Sequence, residues 1–255
     1  MHENPVRKKL EENKPVLGIG LSLGSLRAAE IVARTSFDYV MIDLLHGHFD
    51  KSAATDAIRS IARSGGPVPF ARVSRNDAGS INDLLDAGAL GIVVPMVNSA
   101  AEAERAVASA YYPPVGKRSK GSAASIFYES DYPKVINNNL TLVVMIETPE
   151  AASRADEILS VPGIDCCLVG TGDLSFIMGR SKDSPELRDT VDHIVKTAQT
   201  RGVVTGIAVN TAKEATFWWN RGIRFFLTSH DMALFHDCIH KYDAGFEEFR
   251  GGDKR

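Results

Sequence analysis

LTLVVMIE, residues 140–147, and IDCCLVG, residues 164–170, are apolar runs that leave no polar face. A strand buried on both sides of a parallel sheet has this pattern. Each run also brings a carboxylate to its C-terminal end: Glu147 closes the first, and Asp173 follows the second through Thr171-Gly172. Two acids delivered to one rim of a parallel sheet make a place where a divalent cation and an oxyanion-bearing substrate can meet.

Working outward, six more runs of the same kind occupy 15–22, 38–43, 68–73, 91–96, 203–209 and 224–229. Between them lie amphipathic segments such as KSAATDAIRSIARSG, AGSINDLLDAGA, TPEAASRADEILSV and SPELRDTVDHIVKTAQTRG, several with a Ser, Thr or Asp start and a Gly stop. Eight strand-helix repeats predict an α/β fold, a single (β/α)8 TIM barrel spanning 1–255. The alternative is an open doubly wound sheet. Gly18-Ile19-Gly20 lacks the third glycine of a dinucleotide loop, which argues against it. One long connection, 113–139, interrupts the repeat after strand four, and the sequence reading places it on the active-site side.

The chain has 255 residues, a formal net charge of -3 and 24% charged residues, an ordinary globular composition with no signature of nucleic-acid binding. The N-terminal stretch MHENPVRKKLEENK has no apolar region, and no run reaches the roughly 20 residues of a membrane span. A cytoplasmic location is the expectation. Cys166, Cys167 and Cys238 form neither a disulfide framework nor a zinc spacing and read as core residues.

In a parallel barrel, reactive groups sit at strand C-termini and in the loops beyond. Those positions hold Ser22, Asp43, His46, Arg72, Glu147, Asp173 and Ser229 to Asp231. Glu147 and Asp173 suit a hard cation, which often takes only one or two protein carboxylates; each also suits a helix N-terminus, where an acid complements the dipole. His46 has the side chain for proton transfer near neutral pH, or is a plain loop histidine, as His48 is read to be. Arg72 can stabilise an enolate, or pair with a rim acid, while Arg75 reads as surface. Gly170-Thr171-Gly172 leads into a short helix whose free amides can hold a carboxylate, or simply makes the turn. Phe217, Trp218 and Trp219 read as barrel exterior or a subunit contact. Lys117, Arg118 and Lys120 read as a solvated basic face or, over an active site, as an attractor of anions.

Taken in order, MIDLLHGHFD, PFARVSRND, INDLLDAGALGIVVPMV, the YPP.G.R segment within AYYPPVGKRSKG, and DEILSVPGIDCCLVGTGDLS resemble the HpcH/HpaI aldolases, the class II pyruvate aldolase family, across nearly the whole chain. The resemblance implies a (β/α)8 barrel, commonly a hexamer of paired subunits, that makes or breaks a carbon-carbon bond beside a pyruvate unit. By motif position it implies Glu147 and Asp173 as metal carboxylates for magnesium, manganese or cobalt. Arg72 steadies the enolate, and His46 transfers a proton. Asp43 and Asp86 position or polarise that histidine or its water. Gly170, Thr171 and Gly172 hold the pyruvate carboxylate. Ser229, from its strand-end position, is read as a further substrate contact. The chain departs from many relatives at Leu45, where they carry an acid, at Met145, where they carry glutamine, and in the Gly170-Thr171-Gly172-Asp173 turn, usually glycine-proline-alanine-aspartate.

The expected reaction is a metal-dependent retro-aldol cleavage of a 4-hydroxy-2-oxo acid to pyruvate and an aldehyde. A Schiff-base route needs a lysine at a strand end, and none of the candidate strands has one. An oxo-acid decarboxylase sharing the enolate, and a non-catalytic oligomeric barrel, are the competing readings.

Overall fold

The computed structural model describes residues 3–121, 128, 131–247 and 249–251. Eight strands, β1 Val16–Leu21, β2 Tyr39–Asp43, β3 Val68–Arg72, β4 Gly91–Val94, β5 Thr141–Ile146, β6 Cys166–Val169, β7 Val204–Ala208 and β8 Phe225–His230, close a barrel in sequential order, and every neighbouring pair is parallel. All eight expected strands are present. Their apolar runs are buried because the barrel interior covers one face and helices the other; β4 and β5 are buried throughout.

The intervening helices begin where a short polar side chain can satisfy a free N–H. Ser25, Asp50, Asp77, Ser99, Thr148, Ser184 and Thr211 each accept from the first turn of the helix that follows. Three of these helices stop at Gly65, Gly88 and Gly202, all left-handed. The expected helix 148–161 is two short ones, Pro149–Ser153 and Ala155–Leu159, broken at Arg154.

Inside the barrel, aromatic rings lie against glycines of adjacent strands. Gly18 pairs with Tyr39, Gly91 with Phe70 and Gly206 with Phe225. An added Cβ at any of the three would collide with its partner ring. Tyr39 stacks on Phe225 at 4.5 Å and tilts against Phe70 at 4.8 Å, forming a plug beneath the C-terminal mouth. Side chains alternate along a strand, so Asp43, four residues past Tyr39, and Arg72, two past Phe70, share this inward face, level with each other above the plug.

Four features differ from the sequence reading. The charged N-terminus forms a helix, Pro5–Glu11, that buries Val6 and Leu10; Asn4 ties it to Asn139, Leu90 and Thr141 at the strand N-termini. The described residues of the 113–139 connection lie at that same end, opposite the mouth. It follows the helix Ala100–Ala110, which has already returned the chain to the strand N-termini, and Tyr112 and Asn137 exchange hydrogen bonds there. Residues 122–127, 129 and 130 of this connection lie outside the described residues. Cys166 and Cys167 are core, whereas Cys238 is exposed on a helix, Asp231–Ala244, that the apolar pattern did not mark. That helix projects from the barrel with only Asp231 buried, leaving Leu234, Phe235, Ile239 and Tyr242 uncovered. Among the described residues no helix is long and apolar enough to cross a membrane.

Candidate active site

Asp43 and Arg72 end β2 and β3, and the register sets them side by side. The guanidinium Nε donates to Asp43 Oδ1 at 2.9 Å and Nη2 to Oδ2. Asp43 Oδ1 also accepts the Leu45 N–H at 2.9 Å and the His46 N–H at 3.2 Å. Burial pushes this carboxyl up, but Arg72 and the two amides outweigh it and hold Asp43 below the usual carboxylate range. The result is an Arg72 fork fixed in direction, and a His46 held through its main chain with its side chain exposed. Asp43 thus grips the main chain at His46.

Glu147, one residue past β5, is 2% exposed and accepts the Met96 N–H at 2.7 Å. Asp173 comes within hydrogen-bonding reach of it. Burial first, opposed by the Met96 amide and reinforced by the like-charged Asp173, pushes Glu147 up. Two carboxylates thus face each other on an all-oxygen site. Gly170 seals one side: an added Cβ there would lie 2.5 Å from Glu147 Oε2. Met96 reaches Glu147 from a left-handed backbone, φ 54°. For a non-glycine residue that conformation costs about 1–2 kcal/mol. Local strain of this kind collects at functional sites, and no sequence signal marks a methionine for it.

Gly170 caps the helix Thr171–Met178 with no side-chain bond, unlike the serine, threonine and aspartate caps elsewhere on the rim. The amides of Thr171, Gly172 and Asp173 therefore lack an intrahelical acceptor and sit at the positive end of the helix. An anion bound there would lie beside Glu147 and Asp173.

The remaining candidates divide. Asp231 clamps β8 to β1, accepting the Ser22 N–H at 2.7 Å and the Ser22 hydroxyl at 3.1 Å, so this pair shapes the rim. Ser229 is half-buried on the same rim. Arg75 and His48 are exposed. Trp218 and Trp219 pack on the barrel exterior, Arg224 lies 3.7 Å from the Trp219 ring centroid, and Phe217 meets Trp218 edge-on. Asp86 is not brought to His46. It sits in the last turn of the helix Ala78–Ala87, about 12 Å below the helix start at 1.5 Å per residue, and pairs with Arg118 Nη2 at 2.7 Å. Arg118 is correspondingly no solvated patch: its side chain is fully buried, 4.7 Å from the Tyr112 ring centroid and bonded to the Tyr132 hydroxyl.

One rim group was given no role in the sequence reading, although the stretch Ser229 to Asp231 contains it. His230 ends β8, half-buried, facing Arg72, Asp43 and His46. The expected strand stopped one residue short of it.

The family model described as HpcH/HpaI aldolase/citrate lyase matches residues 21–236. A hydroxypyruvate/pyruvate aldolase of Rhizorhabdus wittichii is 35% identical over 236 residues, covering 91% of this chain and 94% of its own. A 4-hydroxy-2-oxo-heptane-1,7-dioate aldolase of Escherichia coli is 32% identical over 238 residues, covering 91% and 90%. A solved HpcH/HpaI aldolase/citrate lyase family structure from Burkholderia cenocepacia superimposes with a TM-score of 0.88 at 26% identity, covering 97% of this chain and 99% of its own.

Proposed function

The chain belongs to the HpcH/HpaI aldolase/citrate lyase family, and from that premise we propose how the groups at its barrel mouth divide the work of a pyruvate aldolase. The enzyme cleaves 4-hydroxy-2-oxo acids to pyruvate and an aldehyde, a reaction in keeping with relatives named as a hydroxypyruvate/pyruvate aldolase and a 4-hydroxy-2-oxo-heptane-1,7-dioate aldolase. The observation that carries the site assignment is the meeting of paired carboxylates and a fixed guanidinium on one rim.

Glu147 and Asp173 are the residues that would hold a divalent cation. The fit rests on their chemistry: two facing carboxylates, one of them pushed up by burial and further by the other, suit magnesium, manganese or cobalt with water and substrate completing the shell. Among the described residues no cluster of three or more His, Cys, Asp or Glu forms a closed cage. Once bound, the cation supplies Lewis-acid stabilisation of charge developing on the keto oxygen.

The protein's own groups do the rest. The free amides of Thr171, Gly172 and Asp173 take the substrate carboxylate, with the Ser229 hydroxyl at the same rim. Arg72, immobilised by Asp43, stabilises the oxyanion that forms as the C3–C4 bond breaks. His46 takes the proton from the C4 hydroxyl. The same reading makes the enzyme a cytoplasmic homo-oligomer, a hexamer in its full form; the uncovered apolar side chains of the helix Asp231–Ala244 support assembly.

The test is to incubate chelator-stripped protein with pyruvate and a panel of aldehydes, and separately with oxaloacetate, with and without magnesium or manganese, identifying products by mass. Metal-dependent aldol adducts are the expected result. Oxaloacetate loss with no adduct would move the reaction to decarboxylation. Adduct formation undiminished in chelator would remove Glu147 and Asp173 from the metal role.

A further inference from the structure

β1 and β8 fall out of step at the mouth. Gly18 pairs with Leu227 but Gly20 pairs with His230, so β8 uses three residues where β1 uses two. Alternation from Phe225 and Leu227 would turn His230 outward; the extra residue is a bulge, which re-aims a side chain. The neighbouring strand leaves room for the result. At Gly20 an added Cβ would lie 2.7 Å from His230 Nε2 and closer still to Cδ2, so the imidazole occupies the volume a side chain would fill.

The ring lies on the barrel's inner face, above the aromatic plug and beside the Asp43–Arg72 pair. The charged and titratable groups facing it are Arg72, Asp43, Asp231 and His46. No described residue hydrogen-bonds to its nitrogens, which leaves them to a substrate. Burial, then Arg72, holds its pKa below the usual histidine range. Its resting form is therefore the neutral base, and its conjugate acid gives up a proton readily.

We propose that His230 is a second catalytic imidazole, which exchanges the proton at the methyl carbon of bound pyruvate. The proposal rests on the aldolase reading and supplies a group for a step that His46 leaves open. In cleavage, the C4 hydroxyl proton goes to His46 as the C3–C4 bond breaks; the bonding pair passes to the three-carbon half as its enolate, and the aldehyde departs. The proton moves from His46 to His230, and His230 delivers it to the enolate carbon, restoring both imidazoles and releasing pyruvate. Synthesis runs the same transfers backwards, with His230 removing the methyl proton.

The test is proton NMR of pyruvate in deuterium oxide with magnesium and no aldehyde, run beside steady-state cleavage of a 4-hydroxy-2-oxo acid. Wild type should wash the methyl protons out. His230→Ala should lose at least about 100-fold in exchange, the lower bound for a positioned acid-base group, while pyruvate still inhibits cleavage competitively at an unchanged concentration. Free imidazole should restore part of the exchange, a rescue that no purely structural role would give. Gly20→Ala should reproduce the loss by displacing the ring, and His230→Gln supplies the same readout if the alanine variant does not fold. Exchange at the wild-type rate in His230→Ala, with cleavage intact, would overturn this proposal alone. Wild-type protein that neither exchanges nor cleaves would overturn the aldolase reading and this proposal with it.

Discussion

Replacing Glu147 by glutamine tests whether the two carboxylates at the mouth wait for a cation. The side chain is 2% exposed and lies against Asp173, and its pKa is raised. The folded state therefore binds this proton more tightly than the unfolded chain does. Stability contributed at low pH is lost as pH rises through the folded value, and the penalty is absent below the unfolded pKa of about 4.3. Glutamine removes the charge and keeps every contact: its carbonyl can accept the Met96 N–H, and its amide can donate to Asp173. In chelator at pH 8 the variant should be more stable than wild type by about 1 kcal/mol or more, the low end for replacing a buried charge by a satisfied neutral group. That is a rise of roughly 2–4 °C for a chain of this size. The gain should shrink towards pH 5.

Cation reverses the order. At a hundred times its dissociation constant, a ligand specific to the folded state adds about 2.7 kcal/mol. At roughly 2–4 °C per kcal/mol, wild type should then rise by about 5–11 °C with magnesium or manganese. Glu147→Gln, with one carboxylate left, should rise far less, and its metal-dependent turnover should be abolished. Differential scanning calorimetry with and without chelator reads the shifts, and product analysis by mass reads the turnover. Equal cation-induced shifts in both proteins, or a variant less stable than wild type in chelator at pH 8, would refute the paired-carboxylate argument.

Arg72→Lys replaces a planar fork, held by both oxygens of Asp43, with a point charge, so kcat/KM should fall by at least about 100-fold, as when an oxyanion donor is lost; turnover near wild type would remove Arg72 from the enolate role. Asp86→Asn leaves the buried Arg118 guanidinium without its anion and should cost about 1–3 kcal/mol. A lowered Tm is the expected readout; full Tm with lost turnover would instead return Asp86 to the chemistry.

The eight strands were legible because burial on both faces leaves a short apolar run, and each run alternates with an amphipathic helical segment. Asp43, Arg72, Glu147 and Asp173 were legible for a related reason, since strand ends in a parallel barrel converge whatever the loops do. Three-dimensional return paths were not. The 113–139 connection looks like an active-site loop when only its length is read. Its position follows from the helix before it, which had already carried the chain to the other end. The same return path takes Asp86 down its helix to Arg118, although the resemblance implied a place beside His46.

The harder losses were local breaks in periodicity. Met96 serves Glu147 through its N–H, with a backbone angle that no residue pattern announces. His230 is hidden by the alternation rule itself: Phe225 and Leu227 point inward, so a regular strand would turn residue 230 to the outside. Only the bulge, together with the missing side chain at Gly20, reverses that. The two irregularities are useless singly. A bulge beside a larger residue would have no space for the ring, and a glycine beside a regular strand would leave a void, with a cost that grows with its volume. Their coincidence above Arg72 and beside His46 is therefore the strongest physical reason to place chemistry on that imidazole.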